Sequence, residues 1–188
     1  MIDTLDTSSP TLTVPPRMAL LFNALAAGAI TAATLLPFIS VVFWLSVGTE
    51  DAASMAGLPQ ASLPDITMVQ RLVASLVALV VTLPMAWGLV RLRACLVSLA
   101  DGRPFTPSGV AGLRDFALGG MLAALAKLIG HTSMALVLTW NAEPGQRQLL
   151  LRIDSDMLLL AMFAGTVAAL AWAMEQAAIL AEENSQFV

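Results

Sequence analysis

The chain predicts an all-α fold: an integral membrane bundle of four transmembrane helices, N-in and C-in, with a cytoplasmic helical hairpin tip between helices two and three. Three observations predict it. The 188 residues are 58% apolar and only 12% charged, about half the charge of an ordinary soluble domain, and mean hydropathy is +0.83. The apolar residues gather into four stretches, Met18–Thr49, Leu72–Val90, Phe116–Leu138 and Met157–Met174. Each is near or above the roughly 20 residues that cross a hydrocarbon core about 30 Å thick. Arginines flank the stretches unevenly, and basic residues near span ends set orientation.

Residues 1–16 are rich in Ser, Thr, Pro and Asp, hold nothing to bury, and are expected to be disordered. They lack the positive start of a cleavable signal, and the run that follows is longer than a signal core, so Met18 opens a retained span. From residue 17 onward the chain reads as a single four-helix domain, with spans about 18–48, 68–99, 107–140 and 155–182. Span one carries small residues at four-residue spacing, Ala24, Gly28 and Ala32, and a proline, Pro37, that predicts a kink. The link Gly48–Asp65 holds Gly, Pro, Ser and acids and reads as a loop. Span two contains Pro84 and continues past Arg93, where apolar residues at 92, 96 and 99 keep one face greasy. Cys95, the single cysteine, excludes an internal disulfide and a Cys-based zinc site. It reads as a small apolar residue near a helix end.

The second link is the best-formed local motif. Asp101-Gly102 stops helix two, because Gly tolerates the left-handed cap conformation. Thr106-Pro107 starts helix three: Thr accepts from the orphan amides and Pro suits the first helical position. A helix from Pro107 to about Trp140 would be about 50 Å long, so the tip Asp101–Ser108 should project beyond the lipid. Phe105 either packs back between the two helices, the favoured reading for a turn Phe that staples a helix, or stands free as an anchor. Span three offers Gly119, Gly120, Ala123 and Ala124 for close packing. After Pro144-Gly145, Arg147–Ile153 reads equally as a brief strand or an interfacial segment. Asp154, Ser155 and Asp156 supply the start of span four, whose ladder Ala161, Gly165, Ala169, Ala173, Ala177 is a candidate for helix packing or for association with a second copy.

Arg17, Arg91, Arg93, Arg103 and Arg114 lie at one end of the bundle, and Arg71, Arg147 and Arg152 at the other. This bias places both termini and the hairpin in the cytoplasm. Lys127, His131 and Glu175 are the intramembrane polar candidates. A central Lys costs about 2.5–3.5 kcal/mol on insertion scales, and each Leu, Ile, Phe or Val returns about 0.3–0.6. Such residues normally face the bundle and find partners. His131 is one turn from Lys127 on the same face, and Glu175, expected one to two turns nearer the cytoplasm, is the candidate counter-charge. A structural contact, a snorkelling lysine and a proton or ligand site are three open readings. The pattern supplies no catalytic nucleophile, phosphate loop, metal-ligand cluster or cofactor motif, and no basic stripe with aromatics for direct nucleic-acid binding. Enzyme activity is not expected.

Two segments carry a resemblance. One is Leu99-Ala100-Asp101-Gly102-Arg103-Pro104-Phe105-Thr106-Pro107 followed by Leu113-Arg114. The other is the tail from Ala178 through Glu182, Glu183, Asn184, Ser185, Gln186 and Phe187 to Val188. With four spans in this length, the chain resembles the bacterial membrane proteins of the domain-of-unknown-function family numbered 2975, whose members share a G-x-P-F-T/S turn, a following Leu-Arg and an acidic tail closing on Val. The resemblance implies a multi-pass protein of the bacterial inner membrane. It also implies a cytoplasmic protein partner, because genes of that family often lie beside a small DNA-binding regulator of the helix-turn-helix type. The tail here is less acidic than those of many relatives. The function expected is thus regulatory or scaffolding, with the hairpin motif (Gly102, Pro104, Phe105, Thr106, Arg114) and the tail (Glu182, Glu183, Asn184, Phe187, Val188) presented to that partner. The alternative is a small transporter or proton-coupled sensor using Lys127, His131 and Glu175.

Overall fold

A computed structural model describes residues 13–56, 65–141 and 153–185, without the side chains of Ala56, Ala181, Glu182, Asn184 and Ser185. The described chain is helical: α1 Pro16–Ser46, α2 Thr49–Ala56, α3 Met68–Ala100, α4 Pro107–Leu138 and α5 Ser155–Ser185. Four of these, all but α2, are long and apolar enough to cross a membrane. Most of the segment expected to be disordered, the undecided stretch Arg147–Arg152, and the tail residues Phe187 and Val188 lie outside the described residues.

The long helices follow one another in a row. α1 packs on α3, α3 on α4, and α4 on α5, with α2 against α4. The inner helices α3 and α4 are therefore buried over a larger share of their apolar windows than α1 and α5. Dispersion and close backbone approach, rather than the hydrophobic effect, hold such helices together in lipid, and the α3–α4 seam shows it. A Cβ on Gly119 would lie 2.7 Å from the Pro84 carbonyl oxygen and 2.9 Å from Gly88 Cα, and one on Gly112 would lie 2.5 Å from the Arg91 oxygen. At both positions the two backbones touch with no room for a side chain. Pro37 and Pro84 lie inside continuous helices.

The outer helices turn unexpected faces to their neighbours. α1 buries Ala26, Ala29 and Ala33, whereas Ala24 is exposed and Gly28 has nothing within 4 Å of its Cβ position. α5 buries Ala164, Val167 and Ala171, while Ala169 and Ala173 are exposed and Gly165 meets open space. Within this chain, neither ladder in α1 or α5 is the packing face.

The link expected as a loop contains α2. Glu50 and Asp51 sit in its first turn, where acids complement the helix dipole, and its alanines favour helix. Ala52 and Ala53 are fully buried, in a cluster with Val47, Ile66, Ala74, Ala78, Met134, Val137 and Leu138. This apolar plug closes the end of the molecule opposite the hairpin. A polar network braces it. Thr67 and Gln70 form a reciprocal capping box at the start of α3, and Gln70 Nε2 donates to the carbonyls of Val137 (3.1 Å) and Leu138 (3.3 Å). Gln70 Oε1 accepts from Asn141 at 3.2 Å. Arg71 donates to the carbonyls of Leu45 (3.2 Å) and Val47 (2.5 Å), satisfying the last turn of α1.

Candidate functional site: an ion-pair cluster at mid-depth and a capped hairpin tip

The depth of each residue follows from register. α3 is free of charge from Leu72 to Val90, a length of about 28 Å, close to the hydrocarbon thickness. At the hairpin end Arg91 pairs with Asp115, at the other end Gln70 meets Val137 and Leu138, and between them Val81 lies against Gly130. Lys127 therefore lies near the middle of that stretch. α5 is aligned on α4 by Lys127–Asp156, Gly120–Ala164 and the edge-to-face rings of Phe116 and Phe163 at 6.4 Å. Its first turn consequently opens about 14 Å short of the far end of α4, at the depth of Lys127.

There the site assembles. Lys127 Nζ donates to Asp156 Oδ2, and His131 Nδ1 faces Asp154 Oδ2 at 3.4 Å. Two bases on successive turns of α4 each face an acid at the start of α5, Asp154 just before the helix and Asp156 in its first turn. The acids are doubly placed: they meet Lys127 and His131 across the interface and lie at a helix N-terminus, where the dipole favours negative charge. The Asp154 carbonyl also accepts from Met157 (3.1 Å) and Leu158 (3.3 Å), starting the helix. The Lys127 side chain is 29% exposed and that of Asp156 64%, so the pair is open on one side. Among the described residues, no three His, Cys, Asp or Glu side chains gather as a metal site.

Glu175 is not the partner of Lys127. The same register sets it opposite about Gly109, some 27 Å along the axis from Lys127, and its side chain is exposed. An offset of only one to two turns between Glu175 and Lys127 requires an α5 that begins level with the end of α4. Its first turn instead lies about three turns nearer the hairpin, which brings in Asp154 and Asp156, read from the sequence only as helix-start residues.

The turn and caps of the hairpin tip are built as the sequence predicts. Gly102 has φ 71°, and the amides of Asp101, Gly102 and Arg103 donate to the carbonyls of Val97 (3.0 Å), Leu99 (3.2 Å) and Ser98 (2.9 Å), closing α3. Thr106 caps α4, accepting from the Gly109 amide at 3.2 Å, and its hydroxyl donates to Ser98 Oγ at 2.7 Å, tying the two helices together. Phe105 is 46% exposed and stands partly free of the helices, against the favoured reading that it packs back. Arg103 pairs with Asp101 at 3.4 Å, and Cys95 is buried beside Gly112. The register places Ala177 level with Pro107, so α5 runs about 12 Å past the start of α4.

Sequence reasoning missed the Gln70–Arg71 brace. Its signal is Thr67-x-x-Gln70 ahead of an apolar run, a capping-box spacing.

Comparison of the chain with protein-family models, with curated proteins and with solved structures finds no match.

Proposed function

We propose that this multi-pass membrane protein is a regulatory or scaffolding component of the bacterial cytoplasmic membrane, presenting its α3–α4 hairpin and the end of α5 to a cytoplasmic protein. The observation that carries this reading is the tip itself. Two capped helices joined by a hydroxyl–hydroxyl bond hold a half-exposed Phe105 beyond the charge-free part of α3. An exposed aromatic on a rigid projection is the kind of anchor that protein interfaces use. α5 runs beyond the same end with Glu182 and Glu183 near its terminus. Acids there oppose the helix dipole and suit a basic partner better than they suit the helix. The arginine bias puts this end in the cytoplasm, and the resemblance to the 2975 family makes a small DNA-binding regulator the partner class to test first. A photo-crosslinker at position 105, activated in cells and read by mass spectrometry, should recover a discrete protein; lipid or detergent adducts alone would contradict the reading.

A second reading rests on the mid-depth cluster: a proton-coupled sensor or small transporter working through Lys127 and His131 with Asp154 and Asp156. Ionisable groups at that depth are commonly functional. On this reading Lys127→Met abolishes pH-dependent dye response in proteoliposomes, while truncation after Leu180 leaves it intact; the reverse pattern favours the hairpin and tail.

A further inference from the structure

Asp115 lies at the α3–α4 seam with its side chain 15% exposed and a guanidinium on each oxygen. Arg91 Nε donates to Oδ2 at 2.6 Å, and Arg114 Nε stands 3.9 Å from Oδ1. Two cations share one anion, so the trio is net positive. Both arginines face the carboxylate through Nε, Arg91 by a hydrogen bond and Arg114 by the longer ion-pair contact, and among the described residues no further hydrogen bond engages either guanidinium. The terminal N–H forks are uncommitted, and that fork geometry matches two oxygens of a phosphate. The two stems are held at a fixed separation, because the helices touch backbone to backbone at Gly112 and Arg91, and again at Gly88 and Phe116.

The level of the trio points to the source of the anion. Arg91 ends the charge-free stretch of α3, and Trp87, 43% exposed, lies one turn inward on the same face. Trp rings gather where headgroups meet hydrocarbon. Below the arginines, exposed apolar ridges continue along both helices, Leu83 on α3 and Leu118 and Leu122 on α4. A ligand fitting all of this has a phosphate at the top and hydrocarbon beneath it. We propose that Arg91 and Arg114 bind the phosphate of an anionic phospholipid in the leaflet at the hairpin end, with Asp115 as the positioning residue. The proposal does not rest on the hairpin's having a protein partner.

The test uses the full chain in mild detergent, with lipid retention read by native mass spectrometry after exposure to phosphatidylglycerol or phosphatidylcholine. Wild type and Arg103→Gln, which lies outside the trio, should retain phosphatidylglycerol about tenfold over phosphatidylcholine, and Arg91→Gln/Arg114→Gln should lose most of that preference. Arg114 makes only the longer contact, so Arg114→Gln alone reads the site even if loss of Arg91 disturbs folding; it too should lose preference. Millimolar inorganic phosphate should leave the lipid bound. Equal retention of the two lipids by wild type, undiminished preference in the variants, or an equal loss in Arg103→Gln overturns the proposal. Displacement of the lipid by inorganic phosphate also overturns it, assigning the arginines to a soluble phosphate.

Discussion

Gly119→Ala should loosen the α3–α4 seam, and the structure fixes how much. The added methyl would lie 2.7 Å from the Pro84 oxygen, 2.9 Å from Gly88 Cα and 3.2 Å from Gly88 N. All three are backbone atoms, so no rotamer change relieves the contact and the helices must part. A gap of about 0.5–1 Å forfeits a quarter to a half of the dispersion energy at each contact it opens, and overpacking of this kind costs about 1–3 kcal/mol. Against this, Ala is favoured over Gly inside a helix by about 1 kcal/mol. Gly28→Ala isolates that gain, because nothing lies within 4 Å of its Cβ position. In reversible unfolding by SDS from mixed micelles, Gly119→Ala should therefore be about 1–3 kcal/mol less stable than Gly28→Ala. Equal stability of the two variants would refute the claim that backbone contact at this seam holds the bundle.

Three further outcomes follow from the same contacts. Lys127→Met and Asp156→Asn should be non-additive in a double-mutant cycle, whereas Lys127→Met and Glu175→Gln should add; coupling of the second pair would overturn the α4–α5 register. Gln70→Leu removes the donor to the Val137 and Leu138 carbonyls at a residue only 6% exposed, and should cost about 1–3 kcal/mol in the same unfolding assay. Thr106→Ala loses the α4 cap and the bond to Ser98, and should cost about 1 kcal/mol while speeding hydrogen exchange at the Gly109 amide.

What the sequence discloses here is chiefly local chemistry. Gly102 and Thr106-Pro107 dictate their turn and cap through their own backbone preferences, and four apolar runs of bilayer length specify four helices. What depends on contact between helices was less legible. In a helix that is apolar all round, no periodicity marks the packing face, so the conspicuous ladders Ala24-Gly28-Ala32 and Ala161-Gly165-Ala169 gave no sign of turning away from neighbours. The partner of Lys127 depends on how far α5 slides along α4, which small residues such as Gly120 and Ala164 decide in three dimensions. α2 is masked by the loop-like composition of Gly48–Asp65 as a whole, although Thr49-Glu50-Asp51-Ala52-Ala53 is a sound helix start.

Lipid rather than water should surround these helices, and cysteine accessibility scanning in native membranes reads this residue by residue. In a Cys95→Ala background, single cysteines at Leu76, Val80, Leu118 and Leu122, all exposed on the protein surface, should resist a membrane-impermeant maleimide, while cysteines at Arg103 and Phe105 should react once the cytoplasmic side is opened. Rapid labelling at Val80 and Leu118, at rates matching those of Phe105, would mean that water rather than hydrocarbon bathes the helices.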